Sequence, residues 1–404
     1  MTPCFPLPLR AAAAAVLLAA AAASLAAPFV PAADDAIVER LPIRADPAER
    51  ARRAALARDV HQLPLALDLA QAAIQRARRQ GDPRELGAAQ AALAPWWTDA
   101  QAPAPVRLLR ATILQSRHDF AAALVDLDRL VTEAATPLPQ RAQALLTRAS
   151  LHQVLGRFDA ARSDCDALLQ AVYAPLGDGL RRTAQACALE LQSLTGDARL
   201  ARRALDTLAG RDAADPWLAL VRAELAERLG DDAAAQTLYV AAGADGDVYT
   251  LAAHADWLLD RRRDREALAV LDRGPAQADA LLLRRAIAGQ RLGDARAAAT
   301  AADLRERFAA IRLRGDAPHL REEARLALEI DRDPARALAL ARQQWALQKE
   351  PADAVLLLRT ARAAGQDVSR ELGAWLPDPG RADVRLAAVA TVADARQPAR
   401  RAAP

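Results

Sequence analysis

The sequence predicts an all-α fold, an α-solenoid of stacked helical hairpins. Small and apolar residues recur at offsets of 0, 7, 9, 12, 16 and 19. The two series are Ala149, Gly156, Phe158, Ala161, Cys165 and Leu168, and Ala111, His118, Phe120, Ala123, Leu127 and Leu130. Most of the chain also shows helical periodicity, and no alternating strand pattern interrupts it. A pattern that returns in this way indicates helix pairs that stack into one continuous core.

Short polar breaks separate the predicted helices and recur about every 30 to 40 residues. Their positions are His61-Gln62, Arg117-His118, Leu155-Gly156, Thr195-Gly196, Leu229-Gly230, Arg262-Arg263, Leu292-Gly293, Arg332-Asp333 and Ala364-Gly365. Gly is frequent at these breaks because it adopts the left-handed conformation that ends a helix.

These segments resemble tetratricopeptide repeats, a family with a period of about 34 residues. That family places a small residue in the first helix, Gly at the turn, an aromatic residue after it and Ala early in the second helix. Three sets of slots hold Ala149, Gly156, Phe158 and Ala161; Ala223, Gly230, Asp232 and Ala235; and Ala286, Gly293, Ala295 and Ala298. The resemblance covers residues 48–376 and implies a right-handed superhelix of roughly eight to ten hairpins.

The sequence departs from the repeat in two segments. Residues 84–105 make only half a repeat, and residues 304–317 extend one helix. Trp96 and Trp97 lie in the first of these segments. An interface hot spot is one interpretation of the pair, and a plug for the gap left by a missing helix is the favoured one. The remaining tryptophans after the lead-in, Trp217, Trp257, Trp345 and Trp375, are expected in the core.

The N-terminus predicts export. An unbroken apolar run at 11–23 precedes Ser24-Leu25-Ala26, which fits a signal-peptidase site, so residues 1–26 are a predicted signal peptide. A cut after Ala32 is the alternative, as is an uncleaved anchor. Export implies the bacterial periplasm, and no transmembrane segment is expected after cleavage.

The predicted signal peptide is followed by an extended lead-in. It covers residues 27–47 and is polar and punctuated by Pro. At the other end, residues 377–404 are expected to form a capping helix, over 383–395, and a disordered tail.

The composition argues against a nucleic-acid partner and against a deep small-molecule pocket. The 54 basic and 51 acidic residues are interleaved, with no patch of one sign. Aromatic residues make up 3% of the chain, whereas ligand pockets are usually lined by bulky and aromatic side chains.

Catalytic motifs are missing from the sequence. The histidines are scattered at His61, His118, His152, His254 and His319, without metal-ligand spacing, and we expect them in turns or in the core. No serine lies in a G-x-S-x-G motif, and no phosphate-binding loop is present. Glu322 and Glu323 are expected to form a solvated face. We therefore expect neither an enzyme, nor a cofactor, nor a metal site.

Two cysteines follow the signal peptide, Cys165 and Cys187. Each lies eleven residues from Leu176, the midpoint of the predicted loop between two antiparallel helices. That symmetry brings the two positions level, which a disulfide requires. Two free cysteines that pack as small core residues are the alternative.

In the family that the chain resembles, ligands lie along the inner face of the first helices. The turn phase places on that face Gln115, Ser150, Gln153, Glu190, Glu224, Glu227 and Asp256. The middle of this groove is acidic, which favours a protein or peptide partner with a basic segment. An ordinary solvated helix face is the competing interpretation. The Lys, Arg and Asn clamp that binds peptide carboxylates in some relatives is missing.

These observations favour an exported, non-enzymatic adaptor that binds a protein or peptide on its concave face. An accessory or chaperone-like subunit of a cell-envelope complex is the alternative.

Overall fold

The computed structural model describes residues 46–210, 215–314, 319–375 and 383–387, and within these ranges it contains helices and turns but no strand. The chain divides into two compact units, 1–51 and 52–404. In the first unit the structure describes residues 46–51, which include the start of the first helix, Pro47–Arg58. The predicted signal peptide 1–26 lies outside the described residues, as do most of the lead-in and most of 377–404. None of the helices in the described ranges is long and apolar enough to cross a membrane.

The α-helices are α1 (Pro47–Arg58), α2 (Leu63–Gln80), α3 (Arg84–Ala92), α4 (Ala104–Ser116), α5 (Phe120–Thr132), α6 (Leu138–Val154), α7 (Phe158–Ala167), α8 (Asp178–Thr195), α9 (Ala198–Ala209), α10 (Pro216–Arg228), α11 (Asp232–Ala242), α12 (Val248–Asp260), α13 (Asp264–Leu271), α14 (Asp279–Leu292), α15 (Arg296–Arg314), α16 (Leu320–Arg325), α17 (Pro334–Leu347), α18 (Pro351–Ala363) and α19 (Ser369–Leu372). A π-helical stretch, Leu326–Ile330, continues α16.

From α2 onward the unit 52–404 is an α-solenoid of helix pairs. Consecutive helices pack as α2/α3, α4/α5, α6/α7, α8/α9, α10/α11, α12/α13, α14/α15 and α16/α17, and α18 packs on α17. The small slots let these backbones approach closely, because Ala149, Ala161, Ala223 and Ala235 are all buried. The all-α solenoid predicted from the sequence is therefore the fold.

One predicted slot is wrong by a residue. Ala298 is exposed, and its neighbour Ala297 is buried instead. Close packing of α14 against α15 accounts for this one-residue shift, since a Cβ placed on Gly289 would lie 3.1 Å from the Cβ of Ala297. The second helix of this pair therefore meets the first one residue earlier than in the other pairs.

Left-handed residues end the first helix of most pairs. They are Gly81, His118, Gly156, Gly230, Arg262, Gly293, Arg332 and Gly365, with φ between 55° and 76°. Seven of these eight are predicted turn positions. Gly196 differs, with φ −145°, because only Gly196 and Asp197 separate α8 from α9.

Contacts between distant repeats give this unit a tight curvature. The Lys349 N–H donates to the carbonyl oxygen of Val154 at 2.6 Å. At the start of the solenoid, a Cβ on Gly81 would lie 2.9 Å from the Cβ of Ala278. The first and third pairs thus touch segments far along the chain, and the first helices enclose a cavity.

The Trp96–Trp97 pair fills the irregular segment after α3, as the plug interpretation predicts. Both rings pack on the core of the first two pairs. Arg110 holds the segment in place, since its Nη1 donates to the carbonyl oxygens of Trp96 and Trp97 at 2.9 and 2.7 Å. The second departure is also observed, because α15 extends to Arg314.

The expected core position of Trp217 is wrong. Its side chain is 41% exposed, whereas Trp257 and Trp345 are buried. Trp217 lies in the first turn of α10, one residue before the buried stripe that begins at Leu218. The backbone N–H of Trp217 donates to Oδ1 of Asp215, the N-cap residue of α10, at 3.0 Å. Trp217 therefore belongs to the capped first turn of the helix and not to its buried face.

Cys165 on α7 and Cys187 on α8 are paired as a disulfide, with their Cα atoms 5.9 Å apart. Cys165 is fully buried in a small cluster with Ala149, Ala161 and Leu191. The covalent link joins the third pair to the fourth, next to the part of α8 that faces the cavity.

Reduction of this bond is expected to destabilise the protein by about 2–4 kcal/mol, because the link restricts the unfolded chain. The measurement is denaturant unfolding with and without reductant, with thiol counting by mass spectrometry under non-reducing conditions. The double variant C165A/C187A provides the control, and its stability should not respond to reductant. Two free thiols in protein from its native compartment would contradict the pairing.

The left-handed turns predict a stability effect of opposite sign at two positions. Arg332→Gly should stabilise the protein by about 0.5–1 kcal/mol, because the left-handed conformation costs an L-residue roughly 1–2 kcal/mol. Gly365→Ala should destabilise it by a similar amount, and a Cβ there meets no atom within 4 Å, which isolates the backbone effect. Urea unfolding of both variants measures the difference, and two changes of the same sign would refute the prediction.

Candidate binding cavity

The first helices of the pairs enclose a cavity of about 1130 Å³. Its lining comes mainly from α2, α8, α10, α12, α14, α16 and α18. The composition argued against a deep small-molecule pocket with a bulky aromatic lining, and the lining of this cavity is mainly polar and aliphatic. The lining contains many carboxylate and guanidinium groups, together with the phenol groups of Tyr239 and Tyr249.

Two sets of positions, counted back from the turn residues of several first helices, face this cavity. Three residues before the turn, the row holds Gln153, Ser193, Glu227, Leu259 and Glu329. Six residues before the turn, it holds Glu190, Glu224, Asp256 and Arg359. Positions three residues apart lie on one helix face, so the turn phase determines which side chains point inward.

Five of the seven predicted groove residues therefore line the cavity: Gln153, Glu190, Glu224, Glu227 and Asp256. Gln115 and Ser150 do not. They lie in the expected slots, but the cavity takes its wall from α2 and no residue from α4. Ser150 is exposed on the part of α6 that precedes Gln153.

Glu190 and Glu224 form an acidic subsite whose hydrogen bonds come from neutral groups. Glu190 accepts a hydrogen bond from Nε2 of Gln153 at 2.7 Å, and Glu224 accepts one from the Tyr249 hydroxyl at 3.1 Å. Neither carboxylate forms an ion pair with a described residue, although the charge of the buried Arg228 acts on both at longer range. The groups that touch them are an amide and a phenol, which do not form a nucleophile–base pair.

Burial raises the pKa of both carboxyl groups in this subsite. That of Glu224 rises to about 8, because burial and the nearby charges of Glu190, Glu350 and Glu227 all disfavour its ionised form. The pKa of Glu190 is also raised, mainly by burial. With no cation bound, Glu224 is mostly protonated at neutral pH.

A second part of the cavity wall, around Asp256, is rich in arginine, and sequence reasoning missed it. Asp256 accepts from Nε of Arg284 at 2.9 Å and from Nη1 of Arg325 at 2.5 Å. Burial alone would raise the pKa of Asp256, but the two arginines outweigh burial and lower it to about 2. Arg359, which pairs with Asp260 at 2.6 Å, could have been found by continuing the six-before-turn row to Gly365.

The expected solvated face at Glu322 and Glu323 is wrong. Glu323 is 4% exposed and binds the guanidinium groups of Arg312 and Arg336. Glu322 lines the cavity, with an oxygen 3.7 Å from Nη1 of Arg284. These residues meet arginines from other helices because α16, the first helix of its pair, packs against both α17 and α14.

The histidines lie in packed surroundings and in a turn. His254 is buried and stacks on Tyr239, with ring centroids 5.3 Å apart. Burial lowers the pKa of His254 to about 4, so its ring is neutral at pH 7. His118 is a left-handed turn residue, and burial lowers the pKa of His118 and of His152. Across the described ranges, no group of three or more His, Cys, Asp or Glu side chains is placed to hold a metal ion.

Glu224→Gln is expected to stabilise the empty protein at high pH. A carboxyl whose pKa is raised in the folded state retains its proton there, while the unfolded chain releases it above pH 4.5. Its contribution to stability therefore falls as pH rises from 4.5 to about 8, and the amide lacks this penalty. Denaturant unfolding at pH 5 and pH 9 should show the variant gaining on the wild type only at the higher pH.

Glu306→Gln is the matched control, because Glu306 is exposed and lies outside the cavity. Its stability difference from the wild type should not change with pH. The same pH-independent behaviour in Glu224→Gln would contradict the raised pKa.

Comparison with known proteins gives fold resemblance alone. No protein-family model matches the chain, and no curated protein matches it. Among solved structures, it is similar to a tetratricopeptide repeat protein from Parabacteroides merdae, at 15% identity and a TM-score of 0.36, over 72% of this chain and 99% of that one. It is also similar to yeast Tom70, at 12% identity and a TM-score of 0.32, over 86% of this chain and 91% of that one. The fold assignment rests on the helix pairs and left-handed turns of the chain itself.

Proposed function

We propose that this protein is an exported, non-enzymatic binding scaffold that holds a basic segment of a protein or peptide partner in its cavity. The observation that carries the proposal is the acidic subsite, Glu190 and Glu224. Two carboxyl groups face one cavity, and the described side chains that hydrogen-bond to them, Gln153 and Tyr249, are neutral. A bound guanidinium or ammonium group would relieve the cost of burying their charge.

The size of the cavity favours a peptide over a small metabolite. Its volume of about 1130 Å³ exceeds the usual range for small-molecule pockets, about 300–1,000 Å³. Arg78 and Arg79 are exposed along its edge on α2. The partner segment that fits best therefore carries a basic side chain for the subsite and an acidic one for this edge.

The chemistry of the lining favours binding over catalysis. The arginines around Asp256 and Asp260, namely Arg284, Arg325 and Arg359, each form an ion pair with one of these two carboxylates. These ion pairs hold neighbouring first helices together. Export to the periplasm is part of this proposal and is supported by the apolar N-terminal run and by the disulfide pairing.

The test uses a fluorescein-labelled peptide of alternating Ala and Arg, with an Ala and Glu peptide of equal length as the probe control. Fluorescence anisotropy should show binding of the Arg peptide alone. The Glu190→Gln and Glu224→Gln variants should each weaken it by at least about tenfold, because each loses a buried charge partner. Glu306→Gln should bind like the wild type.

Equal affinity in all four proteins would refute the cavity as the binding site. The accessory-subunit alternative makes a different prediction. A stoichiometric complex from envelope extract that survives high salt and is unaffected by Glu224→Gln would favour that alternative, since surface ion pairs are screened by salt.

A further inference from the structure

A short C-terminal segment, Asp383–Ala387, lies against the α10–α11 wall of the cavity. Residues 384–387 form one helical turn, and Arg385 is part of the lining. Val384 covers the turn at Gly230, where an added Cβ would lie 3.3 Å from its Cγ1. The predicted capping helix is thus described over this single turn, and it reaches the middle of the solenoid.

The charges of the segment match those of the wall. Arg385 donates from Nε and Nη2 to the Asp383 carboxylate at 3.0 and 2.8 Å. Its Nη1 lies 3.3 Å from Oε1 of Glu227, whose other oxygen accepts from the Tyr239 hydroxyl at 2.6 Å. Among neighbouring charges, Asp383 acts most strongly on the buried Arg228. Arg385 therefore pairs with both Asp383 and Glu227, and Asp383 offsets the like-charge effect of Arg385 on the buried Arg228.

The same segment is anchored at the end of the solenoid. Leu386 is 4% exposed and packs in the cluster that contains Trp345 and Leu372. One side of the turn therefore belongs to the core of the last pairs, while the other side presents an arginine to the cavity. Surface charge pairing alone would not bury a leucine in this way.

We propose that Asp383–Ala387 is an intramolecular ligand that competes with the partner for the cavity wall. This inference rests on the proposed function. Glu224 and Glu227 are three residues apart on α10 and face the same space, so a basic segment seated on Glu224 extends onto the position that Arg385 occupies. Binding of the partner then requires release of the segment. The apparent affinity for the partner therefore equals the intrinsic affinity multiplied by the fraction of molecules in which the segment is released.

The experiment uses the full chain and two labelled probes, the Ala and Arg peptide and a synthetic peptide of residues 381–389. Asp383→Ala/Arg385→Ala removes both charges of the segment, Arg385→Ala is the milder second variant, and Arg370→Ala is the control at an exposed arginine. Circular dichroism melts establish that each variant is folded. We expect the double variant to bind both probes at least about tenfold more tightly than the wild type and the control.

Hydrogen exchange gives a second measurement in the wild type. The amides of Leu386 and Ala387, which donate to the Asp383 carbonyl at 3.2 Å, should lose protection when the Ala and Arg peptide is added. One outcome would overturn the competition and leave the proposed function standing. In it, the Ala and Arg peptide binds in a manner that depends on Glu224, but its affinity is the same for the double variant and the wild type. If the Ala and Arg peptide binds no variant, the proposed function fails. In that case the 381–389 peptide still tests whether Asp383–Ala387 docks on the cavity wall. If this peptide binds the double variant and the wild type equally, or binds neither, the docking proposal is overturned.

Discussion

The left-handed turn that ends the first helix of a pair is the constraint on which the rest of this structure depends. It fixes where each first helix stops and hence which of its faces points inward. At Gly230 and Arg262 the positions three and six residues before this turn residue both line the cavity, and at Gly156, Arg332 and Gly365 one of the two does. The conformation is kept even where the residue is not glycine, at a cost of roughly 1–2 kcal/mol each.

The sequence predicts what is local to one pair and misses what depends on contacts between distant pairs. The turns, the small slots around Ala149 and Ala223 and the acidic row at Glu190 and Glu224 follow from periodicity. No periodic pattern links Gly81 to Ala278 or Val154 to Lys349, so the enclosure of the cavity could not be foreseen. The omission of Gln115 and Ser150 from the lining has the same cause, because it depends on where α2 lies.

One cavity holds carboxyl groups in opposite protonation states because arginine is unevenly distributed along it. Asp256 and Glu224 occupy equivalent slots on neighbouring first helices, yet the pKa of Asp256 is lowered to about 2 and that of Glu224 is raised to about 8. Arg284 and Arg325 contact the first, whereas other carboxylates surround the second. The wall at Asp256 therefore carries structural ion pairs, and the wall at Glu224 retains unused capacity for a cation.

The C-terminal turn connects these two aspects of the molecule, its packing and its unused charge. Leu386 completes the apolar cluster of the last pairs, and Arg385, the residue before it, partly neutralises the acidic wall at Glu227. Adjacent helix residues point about 100° apart, so one turn can serve both surfaces at once. Any change that lifts the turn exposes apolar surface on one side and a carboxylate on the other. The stability of the end of the solenoid and the availability of the cavity are therefore governed by the same few contacts.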